Sequence, residues 1–184
     1  MKRAFDILAS ATLLLLSLPV LVAAAVWIRL DSPGPVLFRQ VRVGRGCRPF
    51  TILKLRTMVR DADRTGGFST RAGDPRITRA GRFLRRTSID ELPQFWNVLK
   101  GDMSLVGPRP DTPAQQAQYR PEDWQRRHSV RPGITGLAQA ELRSAATFEQ
   151  RLALDLGYVE RAGLAQDLAI LWHTARGLFG KKVT

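Results

Sequence analysis

The sequence predicts a mostly helical α+β protein attached to a membrane, and three patterns carry that expectation. Residues 7–28 form an uncharged apolar run with Lys2 and Arg3 before it and Arg29 behind it, and roughly 20 such residues suffice to enter or cross a hydrocarbon core. Residues 36–55 hold two partly alternating stretches around Gly44-Arg45-Gly46, the pattern of a small β-hairpin. Beyond residue 148 apolar side chains recur at three- and four-residue steps, as on one face of a helix. The 184 residues show no repeat and no second linker, so one folded unit, residues 31–184, is expected behind a membrane segment, residues 1–30.

Within the membrane segment, Ser17-Leu18-Pro19 falls mid-run. A proline there removes a helical hydrogen bond, and the serine hydroxyl can satisfy a freed carbonyl, so a kink is expected. Basic residues crowd both ends, with Arg39, Arg42, Arg45 and Arg48 following Arg29. The preference of basic residues for the cytoplasmic side is then best met with both ends cytoplasmic. The residues alone leave a kinked spanning helix and a re-entrant one equally open. The run is too long for a signal peptide, despite the small residues Ala23-Ala24-Ala25, and no cleavage is expected.

Asp31-Ser32-Pro33-Gly34-Pro35 ends the segment with turn formers. Lys54 and Arg56 then stand at the exit of the hairpin, where charges ordinarily guard a sheet edge. Residues 61–78 are polar and glycine-bearing and predict a mobile loop. In residues 76–86, Ile77, Phe83 and Leu84 sit among five arginines; this fits an amphipathic helix at the headgroup level, and a solvated helical face fits equally well. Phe95, Trp96, Val98 and Leu99 predict a short helix stopped by Gly101, and residues 103–106 a strand. Residues 113–127 read as one or two exposed or interfacial helices, residues 131–136 resemble a backbone-rich phosphate or nucleotide loop, and residues 164–179 read as a final helix with an apolar stripe.

The chemistry concentrates in residues 85–110. Ser88-Ile89-Asp90-Glu91 matches a helix capping box, which would reduce both acids to first-turn electrostatics. Pro93 argues against it. As the fifth residue of such a helix it would cost about 3 kcal/mol, whereas proline favours the first helical position. The helix is therefore expected to start near Pro93, with Asp90 and Glu91 on an irregular lead-in. Arg82, Arg85 and Arg86 precede them and Lys100 and Arg109 follow, a setting suited to gripping phosphate oxygens. Arg109 is stiffened by Pro108 and Pro110. Two acids beside a phosphorylated guest call for a divalent cation, usually Mg2+, and a carboxylate can itself attack phosphorus. The residues point to phosphoryl transfer.

Composition sets the outer bounds. There are 29 Lys plus Arg against 16 Asp plus Glu, a formal charge of +13, so the partner is anionic: nucleic acid, acidic membrane or phosphorylated substrate. Cys47 is the single cysteine, which excludes an intrachain disulfide and a cysteine-rich metal site. His128 and His173 are isolated and have no partner at ligand spacing. A membrane-tethered nucleic-acid module would account for the charge and the aromatics, and a non-catalytic interfacial scaffold for the apolar start. Neither accounts for an Asp-Glu pair beside Pro93 and an arginine held between prolines.

The run SIDELPQFWNVLKGDMSLVGPRP at residues 88–110 has Lys54-Leu55-Arg56-Thr57-Met58 upstream and Arg131-Pro132-Gly133-Ile134-Thr135-Gly136 downstream. Together they resemble the bacterial sugar transferase family, the monotopic phosphoglycosyl transferases, and the likeness extends to about Asp167. The resemblance implies a monotopic fold whose re-entrant helix breaks at Ser17 and Pro19, lodged in the cytoplasmic face of the bacterial inner membrane. It implies transfer of a sugar 1-phosphate from a UDP-sugar to polyprenyl (undecaprenyl) phosphate, with release of UMP, as the first membrane step of lipid-linked glycan assembly. In that scheme Asp90 attacks the β-phosphorus, and Glu91 orients Mg2+ or acts as a base, the metal lying at Asp90 and Glu91. Arg85 and Arg109 hold phosphates, with Lys54 and Arg131 close by. The partners expected are donor, acceptor and phospholipid bilayer, with no nucleic acid and with a homodimer left open. Residues 61–78 and 141–148 would shape sugar choice, and the chain reads as a minimal unit without the extra membrane helices of some larger relatives.

Overall fold

The computed structural model of the chain describes residues 1–62, 73–142 and 147–179. Its first element, α1 (Lys2–Asp31), is a 30-residue helix, about 45 Å long at the usual rise. Among the described residues it is the one helix long and apolar enough to cross a membrane. Pro19 lies inside this helix rather than between two. The Ser17 hydroxyl donates to the Leu14 carbonyl at 2.9 Å, one residue short of the Leu15 carbonyl that Pro19 leaves without its N–H partner, so the serine does not satisfy the freed group.

Both ends of α1 dock on the same body. At the start, Lys2 pairs with the Asp167 carboxylate and donates to the Val106 carbonyl at 3.2 Å. Arg3 donates to the Val98 and Leu99 carbonyls, and Asp6 accepts from the Ser104 hydroxyl at 2.9 Å and the Leu105 N–H at 3.1 Å. At the other end Ala24 and Ile28 pack with Leu55 and Leu84 in one core cluster. The Asp31 carboxylate accepts from the Ala80 N–H at 2.9 Å. Arg56, which the sequence suggested as an edge charge, is buried and donates to the Ile28, Ser32 and Pro33 carbonyls, capping the helix from outside. Between these anchors Leu13, Leu15, Leu16, Leu18, Val20 and Val22 are exposed.

The hairpin forms as the alternation predicts: β1 (Leu37–Val43) pairs antiparallel with β2 (Pro49–Leu55), from Leu37 opposite Leu55 to Val43 opposite Pro49. Its turn is a short 3₁₀ segment, Arg45–Cys47, in which Gly46 takes φ 66°. The free edge of β2 is closed by one side chain. Asn97 donates to the Thr51 carbonyl at 2.8 Å and accepts from the Leu53 N–H at 3.0 Å, imitating a third strand. Asn97 belongs to α3 (Gln94–Lys100), which ends at Gly101 with φ 92°, as its sequence announced.

α2 (Arg79–Thr87) runs ahead of α3, with Thr78 accepting from the Gly81 N–H as its N-cap. Gly81 lies directly on the Thr57 backbone, where a Cβ would overlap the Thr57 carbonyl. Of the expected loop at residues 61–78, residues 63–72 lie outside the described residues. Its end is ordered, with Ile77 bridged to Met58 and Asp74 bound to Arg76. Residues 143–146 of the second expected specificity loop also lie outside the described residues.

β3 (Ser104–Val106) pairs in parallel with β4 (Gly133–Thr135). This corrects the phosphate-loop reading of residues 131–136, because their backbone groups are spent on the sheet: Ser104 N–H to Pro132 O, Gly133 N–H to Pro108 O and Gly107 N–H to Thr135 O, each at 2.9–3.0 Å. The remaining helices, α4 (Pro121–Arg127), α5 (Leu137–Leu142), α6 (Phe148–Arg161) and α7 (Leu164–Phe179), surround this pair. Leu105, Val106, Tyr158 and Ile170 form a core shared by β3, α6 and α7, with Leu137 and Ala140 of α5 packed against it.

The Gly81 contact yields a stability test. Gly81→Val forces α2 off the Thr57 backbone and lowers stability by about 1–3 kcal/mol, read as thermal unfolding in detergent.

Candidate active site

The site begins where α2 stops. Ser88 takes left-handed backbone geometry, φ 58° and ψ 15°, and reverses the chain as the C-cap of α2. Its side chain caps nothing, so the capping-box alternative is absent. Ile89–Glu91 form one 3₁₀ turn, and α3 follows after Pro93, as the proline argument predicts. A tight turn bracketed by two helices thus carries both carboxylates, with Asp90 only 8% exposed.

Three other elements bring cations to that turn. From β2, the Lys54 ammonium donates to Glu91 at 2.6 Å. Arg109, on the turn after β3, pairs with the same Glu91 oxygen at 3.5 Å. Arg85, in the last turn of α2, donates from Nε to the Thr57 hydroxyl at 2.8 Å. All three line a cavity of about 880 Å³ together with Asp90, Glu91, Arg39 and Arg42.

Arg109 is held by more than its prolines. Arg127, buried on α4, donates to the Arg109 carbonyl at 2.7 Å while pairing with Asp111 and Asp155. Arg42 donates to the Pro110 carbonyl at 2.9 Å. The backbone is thereby fixed from two sides while the guanidinium, 52% exposed, reaches the cavity. Neither Arg42 nor Arg127 stood out in the sequence, since the motif around Arg109 gives no sign of which distant cations hold its backbone.

The dyad is electrostatically split. Burial pushes the Asp90 carboxyl above the usual aspartate range, against the opposing pull of Lys54, and Glu91 adds to the rise. Burial also acts on Glu91, but the charges of Arg109 and Lys54 and the hydrogen bonds they donate outweigh it and hold Glu91 below its ordinary value. Burial and the nearby Arg109 lower Lys54. One acid is thus a committed anion clamped by cations, and the other a desolvated, more basic carboxylate.

The sequence model of the bacterial sugar transferase family matches residues 1–181. The chain belongs to the bacterial sugar transferase family. Among curated relatives, it is 47% identical over 184 residues to the UDP-glucose:undecaprenyl-phosphate glucose-1-phosphate transferase of Caulobacter vibrioides, covering 96% of this chain and 69% of the relative. It is 45% identical over 182 residues to the protein of the same name from Escherichia coli K12, covering 95% of this chain and 39% of the relative. A UDP-N-acetylgalactosamine-undecaprenyl-phosphate N-acetylgalactosaminephosphotransferase from Aeromonas hydrophila is 44% identical over 180 residues, covering 95% of this chain and 43% of that protein. The chain therefore spans less than half the length of the latter two.

In this sugar transferase family member the structure gathers Lys54, Arg85, Asp90, Glu91 and Arg109 at one cavity. It does not bring Arg131 there: Arg131 donates to the Gly101 carbonyl at 2.9 Å and helps Arg3 cap the end of α3. His128 is buried against the Trp124 carbonyl, and His173 is exposed. For a metal, the described residues contain no group of three or more His, Cys, Asp or Glu, which excludes a cage built from such side chains there. Two adjacent carboxylates on a cation-lined cavity do fit Mg2+ held jointly with substrate phosphates, the arrangement that ion favours.

The buried Asp90 has a thermodynamic signature. Its folded-state pKa is raised, so the folded state holds the proton more tightly; stability falls as pH rises from the ordinary aspartate value through the raised one, and the full penalty is present at neutrality. Asp90→Asn accordingly raises the melting temperature at pH 7, and the difference from the parent shrinks as pH is lowered through that window, measured by scanning fluorimetry.

Proposed function

We propose that this chain transfers a sugar 1-phosphate from a UDP-sugar to undecaprenyl phosphate and releases UMP. The observation that carries the reading is the split dyad: a buried, basic Asp90 beside a Glu91 that anchors Lys54 and Arg109 at one cavity. Family membership and the printed names of the relatives support the same chemistry, with glucose 1-phosphate the first donor group to try.

In the first step an Asp90 oxygen bonds to the β-phosphorus of the donor as the bond from that phosphorus to the bridging oxygen breaks, and UMP departs with the electron pair. In the second step an oxygen of the acceptor phosphate bonds to the same phosphorus and the Asp90–phosphorus bond breaks. The aspartate is regenerated and a lipid diphosphosugar leaves. Desolvation makes Asp90 the stronger nucleophile, while Arg85, Arg109 and Lys54 meet charge developing on the phosphoryl oxygens. Glu91, already a clamped anion, keeps those cations aimed. Mg2+ bound at Asp90 and Glu91 with the substrate phosphates would supply further charge neutralisation.

The docking of both ends of α1 on one body supports a helix that enters and leaves the bilayer on the same face, with its exposed middle in the acyl chains. The basic residues at both ends support the cytoplasmic face of the bacterial inner membrane for that body. Exposed Phe83, with Arg86 over its ring and Trp27 beside it at 5.4 Å, supports α2 as a helix at the headgroup level. The reading assigns the anionic partners to substrate and lipid and needs no nucleic acid.

The test is UMP release by detergent-solubilised protein with Mg2+ and a panel of UDP-sugars, together with intact mass after donor alone. A phosphosugar adduct that disappears in Asp90→Asn, with turnover down more than about 10³-fold, supports the covalent scheme. A folded protein that releases no UMP from any donor sinks it. Arg109→Ala lowers kcat about 10²–10³-fold, the usual cost of one lost charge-stabilising donor. In Lys54→Met, loss of the cation that opposes the rise of Asp90 moves the acid limb of the rate profile to higher pH.

A further inference from the structure

The catalytic turn borders a second cavity. About 1170 Å³ of space lies on the other flank of Ser88 and Glu91, and among the described residues those two are the ones it shares with the basic cavity. It is less cationic, with Arg176 the one arginine or lysine among its described lining residues. Phe5, Ala9 and Leu13 of α1 form one wall, and Ala140 of α5 and Leu171 of α7 contribute to another. The floor is the apolar core around Leu105 and Val106. Leu13 is exposed on the stretch of α1 assigned to the bilayer, so the apolar wall is continuous with the surface that meets acyl chains. Cationic character appears at Arg176, exposed and stacked over Trp172.

We infer that this cavity is the acceptor subsite, in which the first isoprene units of a polyprenyl phosphate lie between α1 and α7. The inference rests on the transfer reaction proposed above. That reaction requires the acceptor oxygen to approach phosphorus opposite the Asp90–phosphorus bond, in the space UMP vacates. An apolar chain seated here sends its phosphate over the common rim at Ser88 and Glu91 into that space. The nucleotide and the lipid chain thus occupy separate volumes and compete only where their phosphates exchange. The basic cavity has apolar lining of its own, with Leu37, Phe38 and Leu55, but it also carries Arg39, Arg42, Lys54, Arg85 and Arg109, a cation cluster that suits the diphosphate of a nucleotide better than a bare hydrocarbon chain. A single flexible isoprenoid suits a groove whose one wall is itself a membrane helix.

Two measurements test the assignment. A farnesyl phosphate carrying a diazirine on its first isoprene unit, irradiated with the wild-type protein, labels peptides from residues 5–13, 137–142 or 164–177, and undecaprenyl phosphate suppresses the labelling. Labels confined to residues 15–22 of α1 or to α2 overturn it. So does labelling by a diazirine phospholipid at the same peptides that undecaprenyl phosphate fails to displace, which would make the cavity a phospholipid site. Second, Ala140→Trp, which fills the cavity, raises the KM for undecaprenyl phosphate about tenfold or more while the donor alone still forms its adduct. Adduct formation with an unchanged acceptor KM overturns the subsite and leaves the reaction standing. Absence of any adduct or UMP in the wild type brings down the reaction and the subsite together.

Discussion

Glu91 is the residue on which the site's geometry depends. One of its carboxylate oxygens receives both Lys54 from the hairpin and Arg109 from the turn after β3, so two segments remote in sequence meet at a single acid. A lone anion could not hold several cations close together in a part-buried site without help, because each cation repels the next. Here the help comes from the fold: Asn97 closes the edge of the strand that carries Lys54, and Arg127 and Arg42 fix the backbone that carries Arg109. Asp90 can then remain buried with no cation among the described residues paired to it. Its basicity follows first from burial and then from the negative neighbour, against the opposing pull of Lys54 and Arg85.

The same balance explains what could be read in the sequence. Features governed by local sterics were legible: the proline that forbids a helix through Asp90, the glycine that stops α3, the alternation of the hairpin, and the period of α6 and α7. Asp90, Glu91 and Arg109 stood out because their neighbours are conformationally unusual. Lys54 read as an edge charge until a family resemblance drew it to the site, since its partner lies 37 residues away. What escaped was non-local polar pairing. Arg56 binds three carbonyls around the end of a membrane helix, and Arg127 satisfies two buried acids and one backbone oxygen. No periodicity marks such residues as different from surface arginines.

Residues 131–136 show the opposite error. Glycine and proline spacing there imitates an anion-binding loop, yet glycine serves close backbone approach equally well. A Cβ on Gly133 would overlap Gly107, so the spacing reflects two strands pressed together. Arg131, assigned to phosphate by resemblance, instead sits with Arg3 at the carbonyl end of α3. The two arginines join α1 to α3, the helix that follows the Asp90–Glu91 turn.

The acid at the start of α1 bears on how the molecule is made. Asp6 is buried against Ser104 and the Leu105 N–H, 98 and 99 residues further along the chain, and Lys2 relies on Asp167. While the chain is being synthesised, the apolar segment therefore emerges with charges whose partners do not yet exist. Placing those charges in hydrocarbon at that stage would be costly, so the N-terminal turn must wait in the aqueous interface until β3 and α7 are complete. The start of α1 is therefore fastened by contacts that exist only once β3 and α7 have folded, whereas its far end is fastened by the hairpin and α2 much earlier in the chain.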